Sequence, residues 1–129
     1  PTERKRIESS RDIADFFLPM LMELPHEECH VMLLRNNLTL KGTFLVGRGG
    51  ITESAVDIRL ILEAALRNQS TAIVLCHNHP SGSLTPSTMD KNLTRQLAEA
   101  CRIMNIRLLD HVIVSDQGYF SFKDQGLMD

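Results

Sequence analysis

Thr71-Ala72-Ile73-Val74-Leu75-Cys76 runs directly into His77-Asn78-His79-Pro80-Ser81-Gly82. The first half is short and apolar, as expected of a central strand covered on both faces. Pro80 to Pro86 is rich in Pro, Gly and Ser and reads as a loop. Beyond it, Met89, Leu93, Leu97, Ala100 or Cys101, and Met104 recur every three or four residues, the clearest amphipathic helix in the chain. Arg107 to Val114 reads as the next strand, Asp116-Gln117-Gly118 as a turn and Tyr119 to Phe122 as a last short strand.

Working back toward the amino end, Ala55 to Arg67 is rich in helix formers, with Val56, Ile61, Ala64 and Ala65 as a buried stripe. From Glu28 to Leu34 the chain alternates. Glu28, His30, Met32 and Leu34 share one face of a strand, and Cys29, Val31 and Leu33 share the other. Asn36-Asn37 is a turn signal, Leu38 to Val46 a second strand, and the pair a hairpin that Gly47, Gly49 and Gly50 end. Ser9 or Ser10 caps a helix to about Met22, with Ile13, Phe16, Phe17 and Met20 or Leu21 on its apolar face. Pro19 interrupts its amide donors. Helices alternate with strands, which gives an α/β or α+β fold around a mixed sheet.

The 129 residues amount to one domain. Lys plus Arg is 14 and Asp plus Glu is 16, a net charge of −2 with no long basic run, which argues against a domain that binds nucleic acid mainly through its phosphates. No apolar stretch reaches the ~18 residues of a membrane span. The polar amino end does not resemble a secretion signal. The 3 cysteines, Cys29, Cys76 and Cys101, lie in apolar runs without CxxC spacing, so a reducing, cytoplasmic compartment is expected. The start at Pro1 suggests processing or a piece of a longer protein. Residues 1–9 read as a polar arm, and Arg4-Lys5-Arg6 in it as a solvated run or a basic contact.

The chemistry concentrates at His77, His79, Ser87 and Asp90. Two residues apart on an extended chain, the two imidazoles point the same way. They sit where a buried strand gives way to a loop, the end that faces the crevice in open α/β sheets. Two imidazoles and a carboxylate suit zinc and leave a fourth position for water, whose pKa zinc lowers toward ~7. Capping explains Asp90 equally well. Ser87-x-x-Asp90 is a capping box, and Thr85 with Pro86 is an alternative helix start. Capping does not account for the two histidines. Cys76 points away from His77 on a strand and reads as a small buried apolar residue.

His77-x-His79-Pro80, six residues, Ser87, two residues, Asp90 resembles the JAMM signature of the JAB/MPN metalloproteases. Leu24-Pro25-His26-Glu27-Glu28, Asp57-Ile58-Arg59, the run His77 to Gly82, Leu109-Asp110-His111 and Tyr119-x-Ser121-Phe122 resemble its RadC-like branch. The resemblance spans residues 10–129. It implies a three-layer α/β/α, cytidine-deaminase-like fold and a zinc ion (Zn2+) held by His77, His79 and Asp90. It also implies a Glu on an early strand as general base, assigned to Glu28 with Glu27 as its rival, and Ser87 as the oxyanion donor. His30 shares the expected face of Glu28 and is a candidate further ligand or a packed strand residue. Asp110 and His111 are candidates to support a ligand imidazole. In that branch an aromatic usually stands at the position of Cys29, a departure that bears on packing.

The implied activity is zinc-dependent hydrolysis of a peptide, isopeptide or related amide bond. The implied partner is such a substrate, with no membrane and with a second copy of the chain as a further candidate. The rival is a non-enzymatic DNA-repair-associated or protein-interaction module, whose nucleic-acid arm the charge does not support. Contiguous His-Asn-His does not make an HNH nuclease, whose namesake residues are dispersed. A nucleobase deaminase requires H-x-E and a later P-C-x-x-C; in the His77 motif His79 stands where that Glu would be, and the sequence has no CxxC.

Overall fold

The computed structural model describes residues 5–49 and 56–128. Among them are five strands and three helices: α1 (Ser10–Leu21), β1 (Glu28–Leu34), β2 (Leu40–Arg48), α2 (Ile58–Arg67), β3 (Ala72–Asn78), α3 (Thr88–Ile103), β4 (Arg107–Ser115) and β5 (Gly118–Ser121). The strands form one sheet in the order β2-β1-β3-β4-β5. β1 is antiparallel to both β2 and β3, β3 and β4 are parallel across the α3 crossover, and β4 and β5 are antiparallel.

The alternation along β1 sorts its side chains as its sequence implies. Cys29, Val31 and Leu33 pack with Ile73 and Leu75 against Ile61 and Ala65 of α2 and Leu93, Leu97 and Cys101 of α3. Met32 and Leu34 pack with Ala72, Val74, Cys76, Val112 and Val114 against Ile13, Ala14, Phe17 and Leu21 of α1. The architecture is therefore three layers, with one apolar core on each side of a mixed sheet. All seven residues of β3 are buried, as expected of a strand covered on both faces.

Several boundaries differ from the sequence reading. On α1 the buried face is Ile13, Ala14, Phe17 and Leu21, while Phe16 and Met20 are exposed, because the 3.6-residue period carries those two toward solvent. Pro19 stays in the helix near its end on the exposed side, where a lost amide bond costs least. β2 starts at Leu40, since Leu38 adopts φ 70°, outside the extended region. α2 starts at Ile58 because Asp57 caps it, accepting from the Arg59 amide at 2.9 Å, and Ala55 lies outside the described residues. β3 runs on to Asn78, so His77 is a strand residue.

Of the expected polar arm, residues 1–4 and with them Arg4 lie outside the described residues. The remainder is not a loose tail. The Ile7 amide donates to the Leu38 carbonyl at 2.9 Å, Arg6 bridges to Thr39, and Ile7 is buried in the α1-side core. Lys5 lies 3.8 Å from Asp12, and Arg6 donates to the Asn37 carbonyl. Among the described residues no helix is long and apolar enough to cross a membrane.

Ser70 ties the far end of the central strands. Its buried Oγ accepts from the Leu34 amide at 3.1 Å and donates toward the Leu34 carbonyl at 2.7 Å or the Ala72 carbonyl at 2.9 Å. Ser70→Ala leaves those β1 groups short of a partner. A loss of about 1–3 kcal/mol in unfolding free energy is expected, read by denaturant titration.

Candidate metal centre

The β3 register sets the site. Cys29 of β1 lies opposite His77, so Cys29 and His77 share the α2/α3 face at the strand's carboxyl end. His79 follows two residues later, anchored by its amide to the Val114 carbonyl at 3.0 Å. The loop then turns at Gly82, where φ is +90° and a Cβ would come within 3.1 Å of the Asp116 carboxylate, so glycine is needed. The Ser115 hydroxyl donates to the Gly82 carbonyl at 3.0 Å and fixes the turn.

Asp90 arrives from α3 through a capping box. The Asp90 amide donates to Ser87 Oγ at 3.0 Å, and the Ser87 amide donates to Asp90 Oδ2 at 2.7 Å. Capping and convergence are thus one arrangement, because the same bond that caps the helix turns the carboxylate to the histidines. Asp90 Oδ1 lies 3.3 Å from His77 Nε2, Oδ2 lies 3.4 Å from His79 Nε2, and the two Nε2 atoms are 3.0 Å apart. His77 and Asp90 are buried and His79 half-buried, and these three are the group among the described residues placed to hold a metal ion.

The donor set fits zinc on two counts. A tetrahedral zinc with bonds of about 2.0–2.1 Å spans ligand-to-ligand edges of about 3.3–3.4 Å, close to the separations found. His79 Nδ1 donates to the Ser83 carbonyl at 2.9 Å. A carbonyl only accepts, so the proton is on Nδ1 and the Nε2 lone pair points at His77 and Asp90.

The electrostatics follow from the same contacts. Burial pushes the Asp90 carboxyl up, but hydrogen bonds with His77 and His79, the His77 charge and the Ser87 amide outweigh it and hold Asp90 well below the usual carboxylate range. The Asp90 hydrogen bond raises His79 against burial, with the Ser83 carbonyl and the charges of Asp90 and Glu27 adding to the rise. Burial, then the charges of Asp90 and Glu27, push the Cys29 thiol far up. Burial also pushes Cys76 well above a free thiol, and Cys76 lies on the α1 side, away from His77. Cys101 is pushed up to about 11 by burial.

Glu28, the expected base, does not join the cluster. It is out of phase with Cys29 and His77, on the α1 side of the sheet. There it lies 2.9 Å from His26 Nε2, 3.0 Å from His30 Nε2 and 3.4 Å from Arg48. His30 packs beside Phe17, with ring centroids 5.9 Å apart, so it too is directed away from the metal cluster. The alternation along β1 thus separates Glu28 from the His77, His79 and Asp90 cluster. Glu27, just ahead of β1, is the neighbouring carboxylate whose charge both His79 and Cys29 feel. Asn78, which sequence reasoning passed over, pins this segment. Its Oδ1 accepts the Glu28 amide at 2.7 Å, and its Nδ2 donates to the His26 carbonyl at 3.0 Å.

The hydrogen bond with His26, then that with His30, lowers the Glu28 carboxyl from its ordinary 4.5. A depressed acid adds stability that is present above the unfolded-state value and lost as pH falls through the folded one. Glu28→Gln is therefore expected to cost about 1–2 kcal/mol at neutral pH, the difference between charged and neutral hydrogen bonds. It should also flatten the acid limb of the stability–pH curve, with zinc content unchanged. A variant whose acid limb matches the unsubstituted chain contradicts this role.

His111 lies on the metal side. Its Nε2 is 2.8 Å from His77 Nδ1, its Nδ1 is 2.5 Å from Thr94 Oγ1, and its ring stacks on Phe122 at 4.5 Å. Burial holds His111 well below an ordinary imidazole, so it is neutral. Thr94 escaped sequence reasoning, although its place one helical turn after Asp90 was a usable signal. Asp110 does not reach the ligands. Its carboxylate accepts from the His111 and Lys123 amides at 2.7 and 3.1 Å and from the Ser121 hydroxyl at 2.6 Å, bracing β4 against β5 and the segment after it.

Residues 7–127 match the model of the RadC-like JAB domain. The chain belongs to this family. Members similar to it include the UPF0758 protein of Flavobacterium johnsoniae, 41% identical over 123 residues that cover 95% of this chain and 54% of that protein. The UPF0758 protein of Porphyromonas gingivalis is 40% identical over 126 residues, covering 97% of this chain and 56% of that protein. The UPF0758 protein STH371 of Symbiobacterium thermophilum is 37% identical over 128 residues, covering 99% and 55%. The chain thus spans about half the length of these curated relatives. Membership in the RadC-like JAB family agrees with the sequence resemblance and with the mixed five-stranded sheet between helical layers.

Proposed function

We propose that this RadC-like JAB domain is a zinc-dependent hydrolase that cleaves a peptide, isopeptide or related amide bond. The observation that carries the reading is the convergence of His77 Nε2, His79 Nε2 and both Asp90 oxygens within 3.0–3.4 Å, with the His79 lone pair turned inward by the Ser83 carbonyl. His77, His79 and Asp90 hold the ion. The chemistry a zinc supplies when bound is polarisation of a carbonyl and lowering of the pKa of a water toward ~7.

The chain's own groups do the rest. Glu27, partly exposed and on the face of His79, takes the proton of the attacking water and returns it to the leaving amine. Ser87 Oγ spends a lone pair on the Asp90 amide, which leaves its O–H free to donate to the oxyanion that develops on the substrate carbonyl. Ser87→Ala removes both the donor and the cap. About 1 kcal/mol of stability is expected to go with the cap, and a drop of roughly 10²–10³ in turnover with the donor.

The reading is tested by incubating the zinc-loaded chain with a library of fluorogenic peptide and isopeptide amides, with and without a chelator. Cleavage that stops on chelation and returns with zinc is the expected result. A zinc-loaded chain that cleaves no amide in the library overturns the hydrolase reading while leaving the metal centre standing.

A further inference from the structure

The ligand His77 is the inner end of a buried chain of hydrogen bonds. His77 Nδ1 meets His111 Nε2 at 2.8 Å, His111 Nδ1 meets Thr94 Oγ1 at 2.5 Å, and the Thr94 hydroxyl lies 2.9 Å from the Asp90 carbonyl. A neutral imidazole carries one N–H and one lone pair, and a hydroxyl carries one proton. The protons can therefore be ordered in two directions.

In the outward order, Thr94 donates to the Asp90 carbonyl, His111 Nδ1–H donates to Thr94, and His77 Nδ1–H donates to His111 Nε2. His77 Nε2 then presents its lone pair to the ion. In the inward order, Thr94 donates to His111 Nδ1, His111 Nε2–H donates to His77 Nδ1, and His77 Nε2–H donates to His79 Nε2, 3.0 Å away. Neutral His79 accepts it, because the Ser83 carbonyl fixes the His79 proton on Nδ1.

We propose that Thr94 and His111 are positioning residues that form a tautomer switch, ordered inward without metal and outward with it, so that loading the ion and turning His77 into a ligand are one event. This rests on the metal reading above. The proton balance closes. One proton leaves at His77 Nε2, one passes from His111 Nε2 to His77 Nδ1, one passes from Thr94 to His111 Nδ1, and Thr94 takes one from solvent. The net count in the chain is unchanged. Thr94 is itself buried, so that last step takes a local opening at the groove that α3 forms with Phe122 and Leu127. Phe122, stacked on His111 at an interplanar angle of 7°, holds the ring in the plane that serves both orders.

The test is nitrogen-15 NMR of the histidine-labelled chain, which distinguishes Nδ1–H from Nε2–H rings, during a zinc titration. His111 and His77 are expected to pass together from the Nε2–H to the Nδ1–H form as zinc fills the site. Zinc uptake with His111 unchanged overturns the switch alone, whereas no zinc uptake overturns both the switch and the metal reading. In parallel, His111→Phe keeps the stack but cannot accept from His77, and should weaken zinc binding about 10–100-fold. His111→Gln can accept from His77 and donate to Thr94, and should restore most of that affinity. Thr94→Val keeps the shape, removes the acceptor for His111, and should also weaken zinc binding. Unchanged zinc affinity in both His111→Phe and Thr94→Val, each checked for folding by thermal melting without metal, contradicts the proposal.

Discussion

A His77→Ala chain is expected to take up no stoichiometric zinc, where about one ion per unsubstituted chain is expected. Three protein ligands are the minimum of an open zinc site, and two leave no tetrahedral frame. His77 is also the fully buried member of the set, so its loss opens space beside His111 and removes the partner of His111 Nε2. A stability loss of several kcal/mol accompanies it, from the cavity and from the orphaned buried nitrogen. His79→Ala separates the two effects. His79 sits in a loop and is half-buried, so its removal should empty the site at a much smaller cost in stability. Elemental analysis and thermal melting of both variants check this. A His79→Ala chain that retains about one zinc contradicts the ligand assignment.

Glu27→Gln is expected to lower amide hydrolysis roughly 10²–10⁴-fold, the usual worth of a positioned acid–base group, with zinc content and melting temperature close to the unsubstituted chain. Glu28→Gln should do the reverse, sparing turnover and lowering stability, because its carboxylate bonds His26 and His30 on the other side of the sheet. Glu28 opens β1 on its α1 face, while Glu27 lies just ahead of the strand. If Glu28→Gln alone loses turnover, the assignment of the base to Glu27 is wrong.

The three-layer fold was legible because β1 alternates, β3 is apolar throughout and α3 keeps a clean helical period. The grouping of His77, His79 and Asp90 was legible because they lie within 14 residues of one another, at a strand end and a helix start. What escaped depended on pairing between strands. That Glu28 lies on the opposite side of the sheet from the cluster is set by the alignment of Cys29 with His77, a relation between segments 48 residues apart. His111 was already a candidate to support an imidazole; that it reaches His77 depends on the parallel register that brings Leu75 level with His111. Ser87-x-x-Asp90 posed a choice between cap and ligand that the geometry dissolves, since the capping bond itself aims the carboxylate. The polar residues ahead of α1 gave no sign that Ile7 would dock, because a lone isoleucine carries no period.

The most direct measurement is the metal content of the chain, purified without added metal or chelator and then titrated with zinc. About one zinc per chain, with half-loading at submicromolar free zinc or below and loss of the ion in His79→Ala, is the expected result. A folded chain with its histidines intact that takes up no zinc contradicts the metal centre and the hydrolase built on it.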